Sequence, residues 1–358
     1  MKTATEPDSL IDYALLRRKK QRLIRWLFLG CLGAVLLSIL LGASSRSLKE
    51  IGMALLMRGD ATTRLLLWQI RLPRITGALI AGAGLALSGC VMQNILNNPL
   101  ASPSTLGVSS GAAFGANLAI ILFRAGDVSA IGRGWLLDQP YLISLSAFVV
   151  SLSASVIVLA LARLRRFSPE AILLAGVALS SIFSAGTAIL QYFASDTQLS
   201  AAVFWSFGDL GRINWHEIGW LTPAVLIAGC LFSRHSWDYN ALAIGEAGAL
   251  SLGVQPKKLR LVSMLGAAAL TSLCVSFIGL IGFVGLIAPQ AMRRLIGGDH
   301  RYLIPASALA GAIVLLLADT LARTVLSPIV LPVGAITALL GGPMFLYLLM
   351  ARRRQNGC

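Results

Sequence analysis

The sequence predicts an all-α, polytopic membrane protein of about ten transmembrane helices with both termini in the cytoplasm. Three observations carry this. Of the 358 residues, 56% are hydrophobic and only 13% are charged, a balance too apolar for a water-soluble domain. Apolar runs recur along the whole chain at about 20 residues, the length that crosses a hydrocarbon core as a helix. Glycine, at 35 residues, is nearly one in ten, as expected where helices pack on small side chains.

The spans are expected at residues 24–42, 75–96, 105–123, 141–162, 171–193, 218–233, 261–279, 281–295, 303–322 and 330–350. Residues 1–25 form a polar, basic cytoplasmic segment, and 26–352 a single ten-helix domain. No small-residue cleavage signature of a secretory leader is present, so the run from Leu27 to Gly42 reads as a retained first span.

The second span is the most informative. It opens on Arg71-Leu-Pro-Arg74, carries no charged residue from Ile75 to Val91, and closes on Gln93, Asn94, Asn97 and Asn98 before breaking at Pro99. Gly77, Ala81, Gly84 and Ser88 share one helical face, where a second backbone can approach. Pro99 cannot continue a helix, so Asn98-Pro99-Leu100 is a corner. Freed backbone at membrane depth is tolerated beside protein or a water-lined cavity, so the corner is either a constriction or a plain turn between helices.

After the fifth span, residues 195–217 hold Phe204, Trp205, Phe207 and Trp215 with Gly208 and Gly211, consistent with a short helix lying at the interface. Residues 235–260 are the longest cytoplasmic loop. Within it, 242–254 is helix-like, with Leu242, Ala249 and Leu252 near one face and an end at Gly253 and Pro256. The apolar stretch from Leu261 to Leu295 is too long for one span, and Gly279, Gly282 and Gly285 offer a bend. In the ninth span Asp319 lies four residues before Arg323, the spacing of an ion pair along one helix.

Orientation follows from the basic residues. With the N-terminus inside, twenty of the thirty Lys and Arg residues face the cytoplasm. Of the ten outside, six fall between the first two spans: Arg46, Lys49, Arg58, Arg64, Arg71 and Arg74. In a soluble protein the net charge of +15 would suggest nucleic acid; here it is explained by basic loops facing anionic lipid, and no nucleic-acid partner is expected.

Several chemistries lack their residues. There is no G-x-x-x-x-G-K-[ST] phosphate loop, H-E-x-x-H or G-x-S-x-G, so ATP hydrolysis is not expected on this chain. Five scattered cysteines and three distant histidines support neither a metal site nor a disulfide framework, and no bound cofactor is expected. Carboxylates within the spans are nearly missing, whereas ion-driven transporters keep them as coupling sites.

Trp68-Gln-Ile-Arg71-Leu-Pro-Arg74, Ser88-Gly, Met92-Gln93 and Asn98-Pro-Leu-Ala-x-Pro103-x-x-Leu-Gly107-Val-Ser-x-Gly111 resemble the permease subunits of ATP-binding-cassette (ABC) importers for iron-siderophore complexes, haem and cobalamin. The resemblance continues at Leu173-Leu-Ala-Gly176, Leu242-Ala-x-Gly245-Glu246, Gly282-Phe-x-Gly285-Leu-x-x-Pro289 and Asp299-His-Arg301. It ends with Leu317-Ala-Asp319-x-x-Ala-Arg323 and Leu331-Pro-x-Gly334, and spans Leu67 to Arg352. It implies a ten-span permease of a bacterial cytoplasmic (inner) membrane, acting as a dimer that is expected to be a homodimer. Two cytoplasmic ATPase subunits, which carry ATP and Mg, and an extracytoplasmic binding protein that delivers the chelate complete the expected assembly.

By the same resemblance Arg71, Arg74 and Arg323 meet the binding protein, and Asn98, Leu100 and Ser168 belong to the gate. Pro169, beside Ser168, departs from the family's polar residue. Gly245, Glu246, Ala249, Leu252 and Gly253 belong to the segment that seats in the ATPase. The most common cargo of such permeases is an iron(III)-siderophore, with haem and cobalamin as alternatives. A different class, an ion-coupled secondary transporter working without an ATPase, is disfavoured by the missing carboxylates and the helix-like cytoplasmic loop.

Overall fold

The computed structural model describes residues 6–41, 48–58, 60–123, 125, 139–164 and 169–353. They form α1 (Glu6–Leu40), α2 (Leu48–Leu55), α3 (Ala61–Leu65), α4 (Leu72–Ile95), α5 (Val108–Asn117), α6 (Gln139–Leu164), α7 (Pro169–Tyr192) and α8 (Asp196–Ser206). There follow α9 (Trp215–Arg234), α10 (Ser236–Ile244), α11 (Glu246–Ser251), α12 (Pro256–Ile278), α13 (Val284–Ile296), α14 (His300–Thr324) and α15 (Val333–Arg353). Among the described residues there is no strand.

Each expected span coincides with a helix. Seven are long and apolar enough to cross a membrane, while Val108–Leu122 and Val333–Tyr347 are apolar but shorter, and α13 has 13 residues. The division of 261–295 falls where the glycines suggested. Gly279 has φ +75° and Phe283 φ +66°, conformations that end α12 and start α13. A Cβ at Gly279 would lie 2.6 Å from the Trp205 carbonyl oxygen, so glycine there also admits the neighbouring backbone.

One expectation is corrected. The second span starts well before Pro73: the helix runs from Ala61 to Ile95, through a π-helical stretch, Leu66–Arg71, directly upstream of Leu72–Pro73. The Leu72 amide bonds to the Leu67 carbonyl, five residues back, and a widened turn of this kind accommodates the proline that would otherwise stop the helix. Helix α1 begins upstream of the first expected span, at Glu6, and is continuous to Leu40.

Helix α4 is the packing centre, flanked by α14, α12, α13 and α9. The face read from the sequence is buried: Gly77 meets Ile213, and Gly84 meets Cys274 and Val225. The closest backbone approaches use a different face. Gly82 packs against the Gly311 backbone of α14, and Gly89 against the Gly285 backbone of α13, with no room for a Cβ at either. Helices α5, α6 and α7 form a second group, joined to the first through α12. In that group α7 is the most open, exposing Leu174, Val177, Ile182 and Ile189.

Candidate functional site

The candidate site residues gather at the two ends of α4. At the Arg74 end, the Asp319 carboxylate is fully buried. Its Oδ1 accepts from Arg74 Nε at 2.7 Å, and its Oδ2 accepts from Arg323 Nε at 2.9 Å. Arg323 Nη2 donates to Ser38 Oγ of α1 at 2.8 Å, and Thr320 Oγ1 donates to the same oxygen at 3.0 Å. Arg74 Nη2 also faces Asp209 Oδ1 at 3.5 Å. Two guanidiniums therefore meet two carboxylates, and one cluster ties α1, α4, α14 and the 209–212 turn together.

The pair of Asp319 with Arg323 is the one read from the spacing; the second arginine was not legible. It arises because α14 runs antiparallel to α4, which brings position 319 level with 74. The three arginines expected to meet the binding protein differ in their surroundings. Arg74 and Arg323 are buried at 8% and 7% exposure and committed to Asp319, so neither points outward. Arg71, one turn earlier, is half-buried and donates through Nη1 to the Ile39 carbonyl at 3.1 Å.

At the other end of α4 the chain turns through Asn97, whose φ of +43° is one that asparagine tolerates better than most residues. The Leu100 amide donates to Asn98 Oδ1 at 2.9 Å, so the Asn98 side chain closes the corner from within. Asn98 is half-buried and Leu100 is exposed. Gln290 of α13 holds the corner from outside it: Nε2 donates to the Pro99 carbonyl at 2.8 Å and to Gln93 Oε1 at 3.2 Å. Gln93 Nε2 in turn donates to the Leu286 carbonyl at 3.2 Å. Gln290 was missed in the sequence, where a lone amide after Pro289 in an apolar helix was its only signal. Ser168 lies outside the described residues.

Helix α10 packs against the same end of α4, and α11 packs against α10 and α12. Asn94 Nδ2 donates to the Tyr239 carbonyl at 3.3 Å, and the Tyr239 hydroxyl pairs with Ser263 Oγ at 2.8 Å. Asn240 Nδ2 donates to Asp299 Oδ1 at 2.9 Å, and Asn240 Oδ1 accepts from the His300 amide at 2.9 Å. Burial pushes the Asp299 carboxyl up, but hydrogen bonds from Arg301 and Asn240 outweigh it and hold the group down at about 2. It is therefore charged at neutral pH, caps α14, and grips Arg301.

The helix-like stretch 242–254 is two helices, broken at Gly245. Gly245 (φ +123°) and Gly253 (φ +81°) hold conformations suited to glycine, and a Cβ at either meets nothing among the described residues, so backbone angle is what requires glycine there. Glu246 is ion-paired with Arg260 of α12. The face read as shared by Leu242, Ala249 and Leu252 divides. Leu242 and Ala249 are buried in the chain's own core, whereas Leu252 is 65% exposed, together with Ile244 and Leu250. Ala249 is thus an anchor of α11, and the outward apolar ledge is Ile244, Leu250 and Leu252.

Among the described residues no cluster of three or more His, Cys, Asp or Glu could hold a metal ion. What the chain offers is a central helix closed by buried charge at one end and by an amide-held corner at the other, with exposed apolar side chains on and after the short helices α10 and α11. That is the architecture of a polytopic transport permease of the cytoplasmic membrane. Residues 30–351 match the FecCD transport family, and the chain belongs to it.

Relatives agree. An ABC transporter permease protein of Methanocaldococcus jannaschii is 52% identical over 314 residues, covering 87% of this chain and 89% of the relative. The Fe(3+)-citrate import system permease protein YfmE of Bacillus subtilis is 36% identical, covering 95% and 98%. The vitamin B12 import system permease protein BtuC of Salmonella arizonae is 38% identical, covering 97% and 100%. A solved inward-facing conformation of a metal-chelate type ABC transporter superposes with a TM-score of 0.77 at 32% identity, covering 92% of this chain and 99% of that one.

Proposed function

We propose that the chain is the membrane-spanning permease of an ATP-driven importer for a metal chelate, with an iron(III)-siderophore as its cargo. Relatives named for iron citrate and for vitamin B12 stand at 36% and 38% identity, so similarity alone does not rank their ligands. Both are large metal complexes, and that shared chemistry supports the class of cargo. The permease works as a homodimer, receives its ligand from an extracytoplasmic binding protein, and is moved by two cytoplasmic ATPase subunits that hold the ATP and Mg.

The observation that carries this reading is the ledge of Ile244, Leu250 and Leu252. Three exposed apolar side chains on short helices braced by Ala249 and the Glu246–Arg260 pair form a stiff surface suited to a groove in a soluble partner. Gly245, with no intrachain neighbour at its Cβ position, lets that partner come close. Arg71 is the docking contact for acidic side chains of the binding protein, and Arg74 and Arg323 hold the helix ends beneath it. The Asn98–Leu100 corner is the inner gate. Asp319, the one buried carboxylate among the described residues, is already committed to two arginines, which argues against an ion-coupled carrier.

The test is reconstitution of the chain in liposomes with its ATPases and binding protein. Uptake of a ferric siderophore is expected to require ATP, and Leu252→Glu to abolish ATPase co-purification while Ala249→Gly leaves it largely intact. Ion-gradient uptake by the chain alone, or full co-purification with Leu252→Glu, would overturn the reading.

A further inference from the structure

One feature is left over by the transport role: the N-terminal part of α1, which precedes the family match at residue 30. Arg17, Arg18, Lys19, Lys20, Arg22 and Arg25 crowd into nine positions, and after Asp12 the chain has no acidic residue until Glu50. Among the residues whose side chains the structure describes, from Leu15 onward, none of the six forms a salt bridge within the chain, and all lie on one unbroken helix that becomes the first span at Trp26. At the helical rise, Arg17 to Arg25 covers about 12 Å along the axis, so these charges are fixed within one headgroup layer and its adjoining water.

A second observation sets their depth. Lys20 Nζ sits over the Tyr302 ring of α14, 5.4 Å from its centroid, and the Arg301 guanidinium stacks on Trp237 of α10 at 4.2 Å. Trp237 is 63% exposed and Trp26 66%. Indole rings favour the boundary between headgroups and acyl chains, so α1, α10 and α14 present cations and aromatics at the same level. Arg301 is largely neutralised by Asp299, which leaves the α1 charges to meet an anion.

We propose that residues 17–25 of α1, flanked by Trp237 and Tyr302, bind the headgroups of anionic phospholipids and so anchor the start of the first span against the rest of the bundle. The phosphate supplies a negative charge that no described side chain supplies here. A helix that enters the bilayer at Trp26 cannot carry these cations away from the lipid surface, which favours lipid over a soluble acidic partner.

The experiment is native mass spectrometry of the full-length chain with its ATPase subunits, exchanged from detergent into mixtures of phosphatidylglycerol and phosphatidylcholine. Wild type is expected to retain phosphatidylglycerol about tenfold or more over phosphatidylcholine, the preference weakening as salt is raised. The variant Arg17→Gln/Arg18→Gln/Lys19→Gln/Lys20→Gln keeps Arg22 and Arg25 for orientation and is expected to lose most of that preference. Equal retention of the two lipids by wild type, a preference insensitive to salt, or an unchanged preference in the correctly assembled variant would each overturn the proposal.

Discussion

The two ends of α4 are both polar, yet they are built from different chemistry. At the Arg74 end, full charges are buried and interlocked: one carboxylate receives two guanidiniums, and a serine of a third helix receives the second guanidinium. At the Asn98 end, neutral amides join a corner to α13, and the corner itself is half-buried, with a residue at positive φ and an exposed leucine. Separating buried charges is far more costly than exchanging neutral hydrogen bonds near water. The difference teaches which end can rearrange. Helices α1, α4 and α14 are expected to move as one body at the Arg74 end, and the corner at the other end to be the place where partners change.

The sharpest break of this contrast is Asp319→Ala, which leaves two buried guanidiniums facing each other. The expected loss is about 3–5 kcal/mol, read as a lower thermal midpoint of the purified protein. Replacing the set together, Arg74→Met/Asp319→Leu/Arg323→Met, should recover most of it, because an apolar trio carries no stranded charge. If the triple variant is as unstable as the single one, packing and not charge holds this end.

Gln290→Leu probes the other end. Two donations are lost and the Pro99 carbonyl gives up a partner, so a smaller cost of about 1–3 kcal/mol is expected. In reconstituted vesicles this variant should disturb the coupling of ATP hydrolysis to uptake more than it disturbs stability. Wild-type coupling would remove the corner from the mechanism.

The smallest effect on stability is expected for Arg71→Glu, within about 0.5 kcal/mol, since the side chain is only half-buried. Its effect should fall instead on the association rate of the binding protein, most strongly at low salt, where charge steering is least screened. Stopped-flow association at two salt concentrations separates the two roles.

How much of this was legible in the sequence differs from place to place. The spans were legible because uninterrupted apolar length is a one-dimensional signal, and even the bend at Gly279 showed. The ion pair of Asp319 with Arg323 was legible because it is local, four residues apart. Arg74 was not, because its partner lies 245 positions away and is brought there only by the antiparallel packing of α14. The start of the second span was misread at Pro73, since a π turn leaves no composition signal. The shared face of Leu242, Ala249 and Leu252 was misread for a similar reason: the stretch is two helices broken at Gly245, and Leu242 and Ala249 are buried while Leu252 is exposed.

The contrast between the ends is tested most directly by hydrogen exchange of the reconstituted importer, with and without trapped ATP. Peptides covering 95–101 and 284–292 are expected to change their exchange between the two states, while peptides covering 72–80 and 315–324 remain equally protected in both. Altered exchange at 72–80 and 315–324 with an unchanged 95–101 would contradict the assignment of the Arg74 end as the fixed one and the Asn98 corner as the moving one.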